Sequence, residues 1–257
     1  MGLFKIILVC FIAGIGAGLG TGFAGLSAAS VVGPLLSTFL DVSPYQAIGV
    51  GLISDVLASS ISAYTYHKSG NLDIKNSLPL LLSVLVMTII GSVVASYVPA
   101  KAMGSTMQIM LIILGLRFIL VPIKTTKAQM NAVSKKEMLI KSVLGGIVVG
   151  FICGFVGAGG GMMLLFVLTS LLGYQMHMAV GTSVFIMAFT ALTGGISHIA
   201  FGGLPDTTVL IFCCLFTLLW AQIASKIANK VDTRTLNIVV GIVLILTGIV
   251  VLVFNNL

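Results

Sequence analysis

Ten long apolar runs occupy nearly the whole of this sequence, and that pattern constrains its fold more than any motif does. The runs lie near residues 3–19, 23–40, 45–66, 76–98 and 104–123, and then near 138–156, 159–173, 177–200, 207–228 and 236–254. A water-soluble fold needs a polar skin, and about a quarter of its residues are ordinarily charged. Here 7% are charged and 58% hydrophobic, with a mean hydropathy of +1.22. A soluble enzyme, a secreted disulfide scaffold and a disordered regulator are excluded. In lipid every backbone N–H and C=O must be satisfied internally, so runs of this length predict helices. The expected fold is an all-α integral membrane protein. The opening MGLFKIILVC has no small-residue cleavage site leading into a polar chain, so it reads as the first membrane helix rather than a leader. The cysteines Cys10, Cys153, Cys213 and Cys214 all sit in apolar runs without C-x-x-C spacing and read as small buried hydrophobes.

The runs form two sets of five around the only sizeable polar stretch, which contains KTTKAQMNAVSKKE. This gives a first transmembrane repeat over 1–123, a basic linker over 124–137 and a second repeat over 138–257. The two sets are related. Residues 14–72 placed on 146–204, an offset of 132 without a gap, share 12 identities in 59 positions. Gly14, Gly18, Gly22 and Gly25 fall on Gly146, Gly150, Gly154 and Gly157, and Ala47 and Gly49 fall on Ala179 and Gly181. With one residue inserted, Val98 and Gly115 match Val231 and Gly248.

Charge sets the orientation. If each half crosses the membrane an odd number of times, ten basic residues share the side of the linker, including Lys68, Lys75, Lys226, Lys230 and Arg234. The other side then holds only Lys5 and Lys101; an even count would divide them eight to four. The positive-inside rule favours the odd count, with the linker cytoplasmic and both termini outside a plasma or inner membrane. An odd count makes the repeats inverted, as in many secondary transporters. The net charge of +7 therefore bears on orientation and not on nucleic-acid binding.

The glycine clusters carry the functional signal. Gly20, Gly22 and Gly25 formally match a dinucleotide-binding fingerprint, but the flanks are membrane runs and not a strand–turn–helix unit, which removes that reading. Gly14, Gly18, Gly22 and their counterparts suit close helix–helix contacts. Gly157, Gly159, Gly160 and Gly161 are harder to keep in a continuous helix, at about 1 kcal/mol each against alanine. The expectation is a broken or re-entrant segment there and at the equivalent Gly25, Ser27, Ala28 and Ala29. Freed N–H groups at such breaks can hold an anion without a charged side chain. Thr182 and Ser183 in AVGTS offer hydroxyls to the same anion, or bond back to their own helix. Asp55, the one acid well inside an apolar run, is either an ion-coupling residue or a polar anchor. Arg117 either snorkels or attracts anions. His198 and His67 near segment ends, and Cys153 beside the second cluster, are accessory candidates; the histidines show no metal-ligand spacing.

At GFVGAGGG (154–161), AVGTS (179–183) with a distant His198, and a first copy ending in SAYTYHKSGNLD, the chain resembles the sulfite exporter TauE/SafE family. The resemblance covers nearly the whole chain. It implies transport of small anions such as sulfite, thiosulfate, sulfoacetate or other sulfonates, with the glycine clusters and Thr182–Ser183 as site elements. The first copy departs from the fuller pattern, with SAA at 27–29 and Val50–Gly51 in place of Thr–Ser. The resulting expectation is a secondary transporter working by alternating access, with a small anion and the bilayer as partners and no cofactor, metal or nucleic acid. The rivals are a passive anion channel and, less favoured, an intramembrane enzyme, for which paired acid–base groups are lacking.

Overall fold

The computed structural model describes residues 2–95, 106–121, 123, 125, 134–156, 160–202 and 206–255. The described residues are helical throughout, apart from turns and connections. The first half forms α1 (Leu3–Ala24), α2 (Ala29–Leu40), α3 (Pro44–Lys68), α4 (Ile74–Ala95) and α5 (Thr106–Leu120). The second forms α6 (Lys135–Val156), α7 (Gly160–Phe166, continuing as a π-helical turn over Val167–Leu171), α8 (Met176–Gly202), α9 (Thr207–Ala228) and α10 (Thr233–Asn255). Most of the linker, with Lys124 and Lys127, lies outside the described residues, as do Lys101, Gly157 and Gly159.

Local chemistry starts the helices where expected. Ser43 and Pro44 begin α3, the hydroxyl accepting from the Gln46 N–H at 3.4 Å. Asp206 caps α9 by accepting from the N–H groups of Thr208 at 2.7 Å and Val209 at 3.3 Å. Asp232 caps α10 in the same way, through Arg234 and Thr235.

Among the described residues seven helices are long and apolar enough to cross a membrane. α5 has 15 described residues, and two further apolar elements, α2 and the stretch Gly160–Leu171, have 12 residues each. At ~1.5 Å per residue each spans about 18 Å, well short of a hydrocarbon core of ~30 Å. They sit at equivalent places in the two halves, each directly after a glycine-rich break. The helices outside carry the apolar faces expected against lipid, with Leu82, Val86 and Ile89 on α4 and Ile211, Leu215 and Leu219 on α9 all exposed.

The halves pack crosswise. α1 lies along α9 and α4 along α6, while α3 pairs with α8 and α5 with α10. Each of these eight helices therefore packs on a partner from the other half, while α2 and α7 lie mainly against helices of their own half. The contacts match residue for residue: Gly14 meets Phe216 and Gly18 meets Trp220, while Gly146 meets Ser83 and Gly150 meets Met87. These pairs exchange when the repeat offset is applied. The counterpart helices α3 and α8 run antiparallel, Leu52 facing Gly194 and Tyr66 facing Gly181. α1 and α9 run parallel, Gly14 near Phe216 and Gly22 near Ala224.

At Gly18 an added Cβ would lie 2.6 Å from the Trp220 Cβ and 2.7 Å from the Thr217 carbonyl oxygen, so backbone blocks the space. Gly18→Leu should therefore lower stability by about 1–3 kcal/mol or more. Gly2→Leu, at a position with nothing within 4 Å, should be neutral. Thermal unfolding of the detergent-solubilised variants measures the difference.

Candidate functional site

The first break begins where α1 stops. Gly25 takes a left-handed conformation, φ 61°, that a residue with a Cβ adopts only at a cost. Its N–H bonds to the Thr21 carbonyl and the Leu26 N–H to the Gly20 carbonyl, both at 3.0 Å, closing the helix end. The Thr21 hydroxyl donates to the Leu26 carbonyl at 2.8 Å, which fixes the chain as it leaves α1. Cys153 holds the equivalent place in α6 and lies against Gly160, so a thiol stands there where the first half has a hydroxyl.

The two breaks meet. The Gly25 carbonyl packs directly on Gly161, and the Ser183 hydroxyl lies against Gly25. Gly25, Gly161 and Ser183, singled out separately from sequence, thus come together in the interior. Ser183 is fully buried and donates to the Val180 carbonyl at 2.8 Å, which leaves its oxygen lone pairs facing the break. Thr182 points elsewhere. It accepts the Asp73 N–H at 3.3 Å and so ties the start of α8 to the connection between α3 and α4. Gly157 and Gly159 lie outside the described residues.

Asp55 belongs to this junction as well, which its place in the sequence did not indicate. It is 1% exposed, and its Oδ1 accepts the Ser59 hydroxyl at 2.9 Å. Ser27 and the Ala28 backbone N–H, at the entry to α2, face the same carboxylate without closing a hydrogen bond to Oδ2. A carboxylate at the N-terminal end of a half-helix is favourably placed against the helix dipole. The first break therefore carries its own acid. Its counterpart at the second break is Met187, whose sulfur lies against Gly161.

The accessory candidates disperse. His67 is exposed at the end of α3. The His198 backbone is in α8, and its side chain lies outside the described residues. The Arg117 guanidinium stacks over the Phe166 ring, 5.0 Å from its centre, with Nη1 unpartnered. Among the described residues no group of three or more His, Cys, Asp or Glu could hold a metal ion.

A polar cluster that sequence reasoning missed closes one end of the molecule. The Tyr174 hydroxyl donates to Asp73 Oδ2 at 3.1 Å, and the Asn71 amide donates to Asn229 Oδ1 at 2.8 Å. A His177 ring nitrogen is 3.0 Å from the Val231 carbonyl oxygen. This end also carries Lys68, Lys75, Lys226, Lys230 and Arg234. The signal for it was chemical asymmetry at two positions, since Tyr174 and Thr182 fall opposite Val42 and Val50 in the other repeat, while Asp73 has its counterpart in Asp206, the cap of α9.

Comparison with known proteins agrees with this architecture. The model of the sulfite exporter TauE/SafE family matches residues 10–251. The chain belongs to that family. Among similar proteins, the probable membrane transporter protein YdhB of Bacillus subtilis is 26% identical over 248 residues, covering 96% of this chain and 99% of that protein. The probable membrane transporter protein YunE of the same organism is 25% identical, covering 90% and 89%. The probable membrane transporter protein MJ0441 of Methanocaldococcus jannaschii is 24% identical, covering 96% and 94%. No solved structure matches the chain.

Gly25 tests how this TauE/SafE junction is held. Gly25→Ala should destabilise by about 1–2 kcal/mol from the left-handed backbone alone, and further from the Ser183 contact. Adding Ser183→Gly should recover only the contact part, a coupling that a double-mutant cycle of thermal unfolding measures.

Proposed function

We propose that this membrane transporter carries a small sulfur-containing oxyanion, of the sulfite, thiosulfate, sulfoacetate or sulfonate class, by alternating access. The observation that carries the reading is the meeting of the two breaks at Gly25 and Gly161. Backbone that leaves a helix inside a membrane is tolerated where it is buried in protein or lines a cavity. Amides and hydroxyls can hold an oxyanion there with no fixed positive charge. Gly25, Ser27, Ala28, Gly157, Gly159, Gly160, Gly161 and Ser183 would form the site; Thr182 would hold the start of α8 in place beside it. The family assignment supports the substrate class.

The packing supports alternating access. The antiparallel pairing of α3 with α8, and the crosswise contacts of α1 and α6, support two inverted repeats that rock about the junction. The basic end would be cytoplasmic, which leaves both termini outside. The Asp73–Tyr174 and Asn71–Asn229 bonds would then close the cytoplasmic side in this conformation.

Asp55 would couple transport to protons. An anion arriving beside a buried carboxylate is repelled unless that carboxylate is protonated. With Met187 at the equivalent place, one break supplies the acid and the other stays uncharged, so the molecule would carry one anion together with one proton.

Two measurements test this. Purified protein should show a thermal shift with a member of the sulfur-oxyanion panel, about 2.7 kcal/mol of stabilisation at a hundredfold excess over Kd. In proteoliposomes, Asp55→Asn should abolish pH-driven uptake while keeping saturable counterflow. Unchanged pH-driven flux in that variant would contradict the coupling, and unitary currents without counterflow would indicate a channel.

A further inference from the structure

A proton held on Asp55 needs a route to water, and one face of α3 has the construction of such a route. Asp55, Ser59, Ser62 and Tyr66 follow one another at intervals of four, three and four residues, which keeps them on a single helical face. All four are buried, Asp55 at 1% exposure and the other three fully. Ser59 donates to Asp55 Oδ1 at 2.9 Å, and the Tyr66 hydroxyl donates to the Gly22 carbonyl of α1, also at 2.9 Å. Two polar atoms on this face have no partner, Asp55 Oδ2 and Ser62 Oγ. A buried hydroxyl without a partner is costly, so packing alone gives no reason to keep Ser62. The second repeat does without it. The equivalent face of α8 carries Met187, Ala191, Gly194 and His198.

The surroundings leave Asp55 as the charged member of this face. From the entry to α2 it is met by Ser27 and Ala28, and from α9 by the Cys214 thiol through Ser54, 3.6 Å from that sulfur. α1 contributes Gly22, and α8 contributes Gly181 and Gly194. Among the described residues no Lys, Arg, His or Glu from these elements contacts the face. At its far end stand His67 and Lys68, both exposed, and beyond them Asp73 bonded to Tyr174.

We infer that this face is a proton relay joining Asp55 to the end of α3 that carries Lys68, with Ser62 as its middle station. Adjacent members are separated by a rise of about 4.5–6 Å, a gap that one water bridges. Asp55 passes its proton to the Ser59 oxygen beside it, Ser59 releases its own to a bridging water, and that water passes one to the Ser62 oxygen. Ser62 releases its own proton toward Tyr66, and bulk water takes up the last. At each oxygen one O–H bond breaks as another forms, so one proton moves and no electron does. The inference rests on the coupling role proposed for Asp55.

The test uses full-length wild type, Ser62→Ala and Ser62→Thr in proteoliposomes. Each is assayed for sulfite uptake driven by a pH gradient and, separately, for sulfite counterflow at equal pH. Ser62→Ala should lose most of the pH-driven uptake and keep wild-type counterflow, and Ser62→Thr should restore the uptake. Wild-type pH-driven uptake in Ser62→Ala overturns the relay. So does a parallel loss of both modes that Ser62→Thr leaves unrepaired, because that marks a packing role. Counterflow without any pH-driven uptake in the wild type removes the coupling reading and the relay with it. No counterflow at all, with sulfite or any other member of the panel, removes the substrate reading instead.

Discussion

A helix that stops inside a membrane leaves backbone groups that lipid cannot satisfy, and the whole of this structure is arranged around two such stops. The solution is to bury one break against the other, with the Gly25 carbonyl on Gly161. That contact requires the two halves to interlock. It explains why α1 packs on α9 and α6 on α4, and why glycines at 14, 18, 146 and 150 face a partner helix at backbone distance. Helices of tightly packed small residues gain van der Waals contact that lipid does not supply. The outward faces of α4 and α9, by contrast, are large and aliphatic, and meet lipid.

The repeats share a framework and differ in their chemistry. Thr21 and Cys153 occupy the same place before each break, as do Asp55 and Met187 beside it. An acid at one break and a thioether at the other make the junction chemically one-sided even though its packing is nearly symmetric. The same holds at the end of the molecule, where Tyr174, Thr182 and Asp73 bond to one another across the repeats. Val42 and Val50, the counterparts of Tyr174 and Thr182, cannot bond in that way to Asp206, the counterpart of Asp73. In the proposed transport cycle, symmetry of packing would permit two related conformations and asymmetry of chemistry would give them different properties.

Much of the fold was legible in the sequence. Hydrophobic length located the membrane helices to within a few residues, because lipid leaves the backbone little choice. Small residues marked the first break, since Gly25 through Ala28 leave the helix; of the second cluster, Gly160 and Gly161 were expected in the break and instead open α7. The pairing of elements was not legible. A glycine shows that something approaches closely, but not that Gly18 meets Trp220, some two hundred residues away. Asp55 was recognisable as unusual, but its position against Ser27 and Ala28 depends on how α2 folds back. Thr182 read as a ligand by residue type alone, and its contact with Asp73 is a tertiary fact that no local pattern encodes.

The central claim is that the junction of the two breaks is where an anion binds. Selenite, the heavier analogue of sulfite, tests it directly through anomalous diffraction from crystals of the full-length protein. The account predicts one strong anomalous peak at the junction, within reach of Gly25, Ala28, Gly160, Gly161 and Ser183. A peak elsewhere in the bundle, or a junction without one at saturating selenite, would contradict it.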